Sequence, residues 1–97
     1  MLVVVSFTYY SDIVYIPDSS RYTPNELDDL FTNWLYDKTI DHEYWIYENG
    51  EKYGVAYDID AFIKWLNENI FADDNDKVRI VEKDIPKIPP DLIELYF

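Results

Sequence analysis

The stretch YWIYENGEKYGVAY, residues 44–57, constrains the fold of this chain more than any other segment. Its centre is Asn49-Gly50, the preferred pair for a type I′ turn, in which both central residues need a positive φ. A two-residue loop also sets the register, so that Glu48 lies opposite Glu51. The segment is therefore predicted to be a β-hairpin, with Tyr47 opposite Lys52 and Trp45 opposite Gly54.

One face of this hairpin is expected to be buried and the other exposed. The more continuous hydrophobic face is expected to pack on the helices, and it consists of Tyr44, Ile46, Tyr53 and Val55, continued by Tyr57. Trp45 and Tyr47 are then expected to point outward. An outward Trp45 is either a contact for a partner, a cover over Gly54, or a residue packed under the proline-rich tail. The sequence leaves these alternatives open.

Two helices are indicated by their start signals. Thr23-Pro24-Asn25-Glu26 combines a capping box with proline at the first helical position, which predicts a helix from Pro24 to about Asp37. Asp58 is placed as the N-cap of a second helix that ends near Asn69 or Ile70. Apolar residues recur at helical spacing in both segments. Trp65 falls off the apolar stripe by about 120°, at its flank or in solvent.

The remaining segments have the patterns of strands. Residues 2–9 are typical of a central strand, residues 13–16 extend it or return as a hairpin, and residues 77–83 alternate like a strand. Three prolines in residues 85–90 predict an extended surface segment, after which residues 91–97 close the chain with a turn or strand. The order βαββαβ predicts an α+β two-layer sandwich, a ferredoxin-like four-stranded antiparallel sheet with both helices on one face. The whole chain, 1–97, is expected to be one domain with a Pro-rich C-terminal segment 85–97.

Composition limits the compartment and the chemistry. The chain has no cysteine, which excludes disulfides, thiolate metal sites and a cysteine nucleophile, and favours a reducing compartment such as the cytoplasm. No apolar run approaches the roughly 18 residues that a membrane helix needs. The N-terminal MLVVVSF lacks the basic region of a signal peptide and is interpreted as a strand.

The charge of −12, from twenty acidic and eight basic residues, points to a basic partner. It repels nucleic acid phosphates and anionic lipids, and it exceeds the roughly 2 to 8 charges that keep a small domain soluble. Adaptation to high salt is another explanation. Aromatic residues on a sheet can stack RNA bases, but Glu43, Glu48 and Glu51 flank the hairpin aromatics, so direct nucleic acid binding is not expected.

No catalytic or cofactor motif is present, and we expect no enzyme activity. His42 is the only histidine, and glycine occurs only at positions 50 and 54, too few for a phosphate-binding loop. The acidic turn at residues 73–76 could chelate Ca²⁺ weakly, but the segment lacks the glycine and distal glutamate of an EF-hand loop. We expect no metal and no cofactor.

The candidate contact residues are therefore carboxylates and hairpin aromatics. They are Asp29 and Asp37 on the first helix, Asp41 and Glu43 before the hairpin, Trp45 and Tyr47 within it, and Asp73, Asp74 and Asp76 in the turn. Tyrosine and tryptophan can anchor a protein interface, and carboxylates can steer encounter with a basic surface. A plainer reading also holds for many of the acids, because carboxylates stabilise helix N-termini and are soluble in turns.

In size, acidity, tyrosine content and lack of cysteine, the chain resembles the small inhibitors encoded by phages and mobile elements, including anti-CRISPR proteins and DNA mimics. The resemblance implies a stoichiometric inhibitor that occupies the basic nucleic-acid-binding channel of a bacterial defence nuclease in the host cytoplasm. One alternative is an immunity protein that neutralises a cognate toxin. Another is a non-catalytic interaction domain, homodimeric through its open sheet face or an edge strand.

Overall fold

The computed structural model describes residues 1–97 and has two helices and six strands. In chain order they are β1 (Leu2–Ser6), β2 (Ser11–Tyr15), α1 (Pro24–Leu35), β3 (Trp45–Glu48), β4 (Glu51–Val55), α2 (Ile59–Asn69), β5 (Arg79–Glu82) and β6 (Ile93–Tyr96). The fold is α+β, as predicted, but it has two more strands than the predicted order βαββαβ.

The first of these extra strands comes from a tight turn near the N-terminus. The strand expected over residues 2–9 ends at Ser6, and residues 11–15 return beside it, so the hairpin alternative is the correct one. Phe7 donates its backbone N–H to the carbonyl of Tyr10 at 2.8 Å, and the two rings stack 5.1 Å apart. The turn is thus closed by both backbone and side chains.

Four strands form a mixed sheet in the order β5-β2-β1-β6. β2 is antiparallel to both β1 and β5, whereas β6 is parallel to β1. The prediction of a ferredoxin-like antiparallel sheet is therefore wrong. β1 lies between β2 and β6, and the β3–β4 hairpin forms a separate two-stranded sheet. Strand partners so distant in the chain are not encoded in any local pattern of the sequence.

Both helices pack on the same face of the sheet. One core cluster contains Val3, Val5 and Val14 from the sheet together with the buried residues of α1 and α2. Phe31 lies in the middle of this layer, with ring centroids of Phe62 at 5.3 Å and Phe97 at 6.0 Å. Burial of such large side chains provides the main favourable contribution to folding.

The helix termini follow the predicted signals. Thr23 accepts from the backbone N–H of Glu26 at 3.2 Å, and the Glu26 carboxylate accepts from that of Thr23 at 3.0 Å, which completes the capping box. Asp58 caps α2 by accepting from Asp60 N–H at 3.0 Å. α1 ends at Leu35, two residues before the expected end, and α2 ends at Asn69 as expected. Neither helix is long and apolar enough to cross a membrane.

The proline-rich segment 83–92 connects opposite edges of the sheet, because β5 and β6 are its outer strands. Ile85 N–H bonds the carbonyl of Ser11 at one end of the sheet, and Ile93 lies beside Val3 towards the other. Since the helices cover one face of the sheet, we infer that the segment crosses the other face. That face contains the paired residues Val4 and Ile13, which are buried although they are not part of the helix-side cluster.

Candidate partner-binding surface

The imidazole of His42 anchors the loop between α1 and β3. Its Nε2 lies 2.7 Å from the carbonyl oxygen of Leu35, and its Nδ1 accepts from the backbone N–H of Tyr44 at 3.1 Å. A carbonyl only accepts, so Nε2 carries the hydrogen in this arrangement. The ring lies between Trp34, at 4.6 Å, and Trp45, at 4.8 Å with the planes 7° apart. Both ring nitrogens are engaged in holding the loop.

Trp45 is buried, with 7% of its surface exposed, so the expectation that it points outward is wrong. Its indole Nε1 donates to the carbonyl of Ile40 at 2.7 Å. An indole N–H usually finds an acceptor when it is buried, and the loop provides one here. Trp45 therefore belongs to the inner face of the hairpin.

The hairpin register also changes partway along the strands. Glu48 pairs with Glu51 and Tyr47 with Lys52, as predicted, and Asn49 and Gly50 have the positive φ values of 52° and 78° that the turn needs. Beyond them a β-bulge pairs Ile46 with Gly54 and Trp45 with Val55. Tyr53 is the extra residue. A glycine inside a strand is a known sign of a bulge, so Gly54 was the signal that could have indicated this shift.

The outer face of the hairpin is the surface formed by Ile46, Glu48, Glu51 and Tyr53. Tyr53 is 71% exposed and Ile46 is 43% exposed, so the prediction that they face the helices is wrong. Glu48 and Glu51 are exposed and directly opposite each other at the turn. Tyr47 is exposed, as expected. The outer face thus combines exposed hydrophobic side chains with paired carboxylates. Its four residues are not the contact residues that the sequence predicted.

Lys52 is the only cation between residues 44 and 57, and it is turned towards the loop that precedes the hairpin. Its ammonium donates to the carbonyls of Lys38 at 2.6 Å and Ile40 at 3.2 Å, and it pairs with the carboxylate of Asp41. Only 13% of its side chain is exposed. The ammonium also lies 5.3 Å from the Trp45 ring centroid, within range of a cation–π interaction. Lys38 and Lys52 line a shallow cavity together with Glu48 and Glu51, but neither glutamate makes an ion pair within 4.0 Å.

Three predicted carboxylates surround the loop before the hairpin, and each has an intramolecular partner. Hydrogen bonds from Thr39 lower the pKa of Asp37, and the ammonium of Lys52 lowers the pKa of Asp41. Glu43 pairs with Lys64 of α2 at 3.2 Å, which lowers the pKa of Glu43. Asp41 and Glu43 are thus partly neutralised by lysines, whereas Asp37 is bonded only to Thr39.

The turn acids lie elsewhere, beside β2 and the loop that follows it. Asp76 accepts from the Tyr15 hydroxyl at 2.5 Å, which raises the pKa of Tyr15, and pairs with Arg79 at 3.5 Å. Asp74 accepts from Ser19 at 3.2 Å, and Asp73 is exposed. The turn acids are thus not part of the group around the hairpin. Asp29 is exposed on α1 and makes no ion pair within 4.0 Å.

A further acidic region, around the start of α2, was not among the predicted contacts. The hydroxyl of Tyr10 accepts from the backbone N–H of Ile59 at 3.2 Å. Burial raises the pKa of Tyr10, and the charges of Asp58, Asp12 and Asp60 raise it further. Asp58 is the N-cap of α2, as predicted, and Asp60 lies in its first turn, where a carboxylate stabilises the helix N-terminus.

The remaining polar side chains of interest are possible metal ligands, the serines of the first hairpin and His42. No three His, Asp or Glu side chains lie where they could hold a metal ion together. Ser6 bonds Ser11 at 2.7 Å and donates to Glu94 at 2.5 Å, on the sheet face opposite the helices. The His42 ring nitrogens already have backbone partners, so this residue makes no contact with those serines.

Comparison of the chain with protein-family models, with curated proteins and with solved structures gave no match.

Proposed function

We propose that this chain is a stoichiometric inhibitor that binds a basic protein partner, in the manner of anti-CRISPR and DNA-mimic proteins. It would occlude the nucleic-acid-binding channel of a bacterial defence nuclease. The observation that carries the proposal is the outer face of the hairpin, where Ile46 and Tyr53 are exposed beside Glu48 and Glu51 while Lys52 is held towards the preceding loop.

The two facing glutamates are difficult to explain by the stability of the hairpin. Like charges directly opposite each other in an antiparallel pair are destabilising, and Glu48 and Glu51 occupy such positions. A partner that carries lysine or arginine would relieve this repulsion. The pair therefore supports a role in binding better than a role in folding.

The exposed side chains beside the glutamates suit a protein partner. Aromatic and large aliphatic residues supply the anchors of protein interfaces, whereas carboxylates at the rim accelerate encounter with a basic surface. A net charge of −12 opposes any direct contact with nucleic acid. Anchoring side chains, carboxylates and a negative net charge together suit a protein that competes with nucleic acid for a basic partner.

The predicted contact residues around the hairpin differ in how they could contribute to binding. Tyr47 is exposed on β3 beside Lys52, Asp37 is exposed in the loop after α1, and both remain part of the proposed surface. Asp41 and Glu43 would have to exchange Lys52 or Lys64 for a cation of the partner. Trp45 contributes indirectly, because its hydrogen bond to the carbonyl of Ile40 fixes the position of the hairpin.

The test is capture from a bacterial lysate on the immobilised protein at low and high salt, about 50 and 500 mM, with identification of the eluted protein. We expect a basic nucleic-acid-binding protein that is retained at low salt, released at high salt and displaced by duplex DNA. Glu48→Gln with Glu51→Gln should slow its association about tenfold. Tyr53→Ser should accelerate its dissociation.

A matched control removes the same charge elsewhere. Asp73→Asn with Asp74→Asn also eliminates two carboxylates, but from the turn. If both double variants slow association equally, only net charge matters and the hairpin is not the contact. Failure to retain any basic protein at low salt would overturn the inhibitor proposal.

The two sheet edges favour a second candidate, a homodimeric interaction domain. β5 and β6 are the outer strands of the sheet, with exposed Val81 on β5 and exposed Ile93 and Tyr96 on β6. Unpaired edges of this kind can pair with a second copy. Sedimentation equilibrium separates the candidates, since a dimer held by strand edges should persist at high salt. An immunity protein would use the same acidic surface, and it is distinguished by a captured partner that is a toxin.

A further inference from the structure

A groove of about 340 Å³ lies between the end of α1, the start of the hairpin and α2. Its aromatic residues are Trp34, His42, Tyr44 and Trp65, and its charged residues are Glu43, Lys64 and Glu68. The Trp34 ring centroid is 6.0 Å from that of Trp65 and 6.4 Å from that of Tyr44. The rings are in contact with one another and are partly buried, so a ligand would lie across the parts of their surfaces that remain exposed.

The charges of the groove favour a cation. Glu43 is paired with Lys64 at 3.2 Å, whereas Glu68 makes no ion pair within 4.0 Å. Two carboxylates and one ammonium leave one negative charge to be balanced. The pKa of Lys64 is raised, first by its hydrogen bond to Glu43 and then by the charges of Glu43 and Glu68, so the positive form of an amine is stabilised here.

Trp65 has a feature that the packing does not explain. Its indole Nε1 is buried and has no hydrogen-bond partner, and an unsatisfied buried donor is unfavourable. A phenylalanine would fill much of the same space without this donor. Indole is, however, the strongest cation–π partner among the side chains.

Building on the proposed function, we propose that this groove receives an arginine side chain of the basic partner. The planar guanidinium would lie over the indole surfaces of Trp34 and Trp65 and donate to the carboxylate of Glu68. Arginine suits the groove better than lysine because it is planar, stacks on aromatic faces and bonds carboxylates through two N–H groups at once.

The test uses short peptides, so that it does not depend on the identity of the partner. Ac-Gly-Arg-Gly-NH₂ is titrated into the ¹⁵N-labelled protein while the three indole N–H signals are followed by NMR. We expect the Trp34 and Trp65 signals to shift and saturate at about 10 mM peptide, while the Trp45 signal, bonded to Ile40, stays constant. Ac-Gly-Lys-Gly-NH₂ should bind at least about threefold more weakly.

Two variants test the roles of the groove residues. Glu68→Gln should weaken the arginine peptide about threefold, whereas Glu82→Gln on β5 removes an equal charge and should leave binding unchanged. Trp65→Phe should weaken binding, and removal of its unpartnered donor should offset part of the packing it loses against Phe31 and Trp34.

Equal binding of both peptides, equal shifts of all three indole signals, or no shift at all would overturn the arginine site. If any one of these results is obtained while a basic protein is still captured through the hairpin, the proposed function stands without the groove. If the peptide binds as expected and no basic protein is captured, the groove is a cation site and the inhibitor proposal fails.

Discussion

His42 donates from Nε2 to the carbonyl of Leu35, the last residue of α1, across a distance of 2.7 Å. Helix ends leave carbonyl groups without intrahelical partners, and they are often satisfied by a glycine-based cap. α1 has no basic residue in its last turn, and no glycine follows it. A side chain seven residues further along the chain therefore completes the helix and positions the hairpin at the same time.

Replacing His42 with alanine is expected to lower the free energy of unfolding by about 2 kcal/mol, because two hydrogen bonds and the stacking on Trp34 and Trp45 are lost together. Urea denaturation measures the change. His42→Phe keeps the ring packing without the hydrogen bonds and should lose only about 1 kcal/mol. An alanine variant with the midpoint of the parent protein would show that the imidazole does not hold the loop.

The inward position of Trp45 predicts a contrast with Tyr53. Trp45→Phe removes the hydrogen bond to Ile40 and should destabilise the protein by about 1 kcal/mol. Tyr53→Ser changes an exposed residue and should alter stability by less than about 0.5 kcal/mol. Both values come from the same denaturation experiment. The reverse order would mean that the hairpin turns its other face inward.

The capping box at the start of α1 predicts a loss of about 1 kcal/mol for Thr23→Ala, because the N–H of Glu26 loses its acceptor. Thr23→Ser retains the hydroxyl and should restore most of the stability. The exposed Thr8 provides a control, since Thr8→Ala should have no measurable effect on the thermal midpoint. Equal midpoints for Thr23→Ala and the parent protein would contradict the role of the cap.

Tyr57 predicts the behaviour at high pH. Burial, with smaller effects of Tyr36 and Asp28, raises its pKa from 10.0 to about 12. The unfolded chain releases this proton first, so the stabilisation is complete below pH 10 and is lost as the pH rises towards 12. Tyr57→Phe should therefore reduce the fall in stability over this range.

Absorbance at 295 nm checks the assignment of this high pKa. The Tyr57→Phe variant should lose the amplitude of one tyrosinate from the upper end of the titration. Loss of that amplitude near pH 10 instead would show that Tyr57 ionises like an exposed tyrosine.

The features that could be predicted from the sequence are those set by neighbouring residues. The capping box, the Asp58 cap and the Asn49-Gly50 turn each depend on a few consecutive positions, and all three are present. The sheet order could not be predicted in this way. β6 pairs with β1 some 90 positions away in the chain, and no periodicity indicates that choice.

The candidate surface was predicted in kind but not in detail. A hairpin that combines aromatic and acidic residues was expected. Which of its side chains are exposed depends on the bulge at Tyr53 and on the hydrogen bond from Trp45 to the carbonyl of Ile40. The availability of Asp41 and Glu43 depends on Lys52 and Lys64, which reach them from other elements. Side-chain reach of this kind is a property of the folded molecule.

The parallel pairing of β1 with β6 has a consequence for synthesis of the chain. β1 and β2 can pair as soon as they leave the ribosome, but the far edge of β1 stays open until residues 93–96 have been translated. Closing such a long-range contact is slow, and an open hydrophobic edge invites association between nascent chains. Ribosome-stalled chains that end before residue 93 should therefore bind holdase chaperones more strongly than chains released after it.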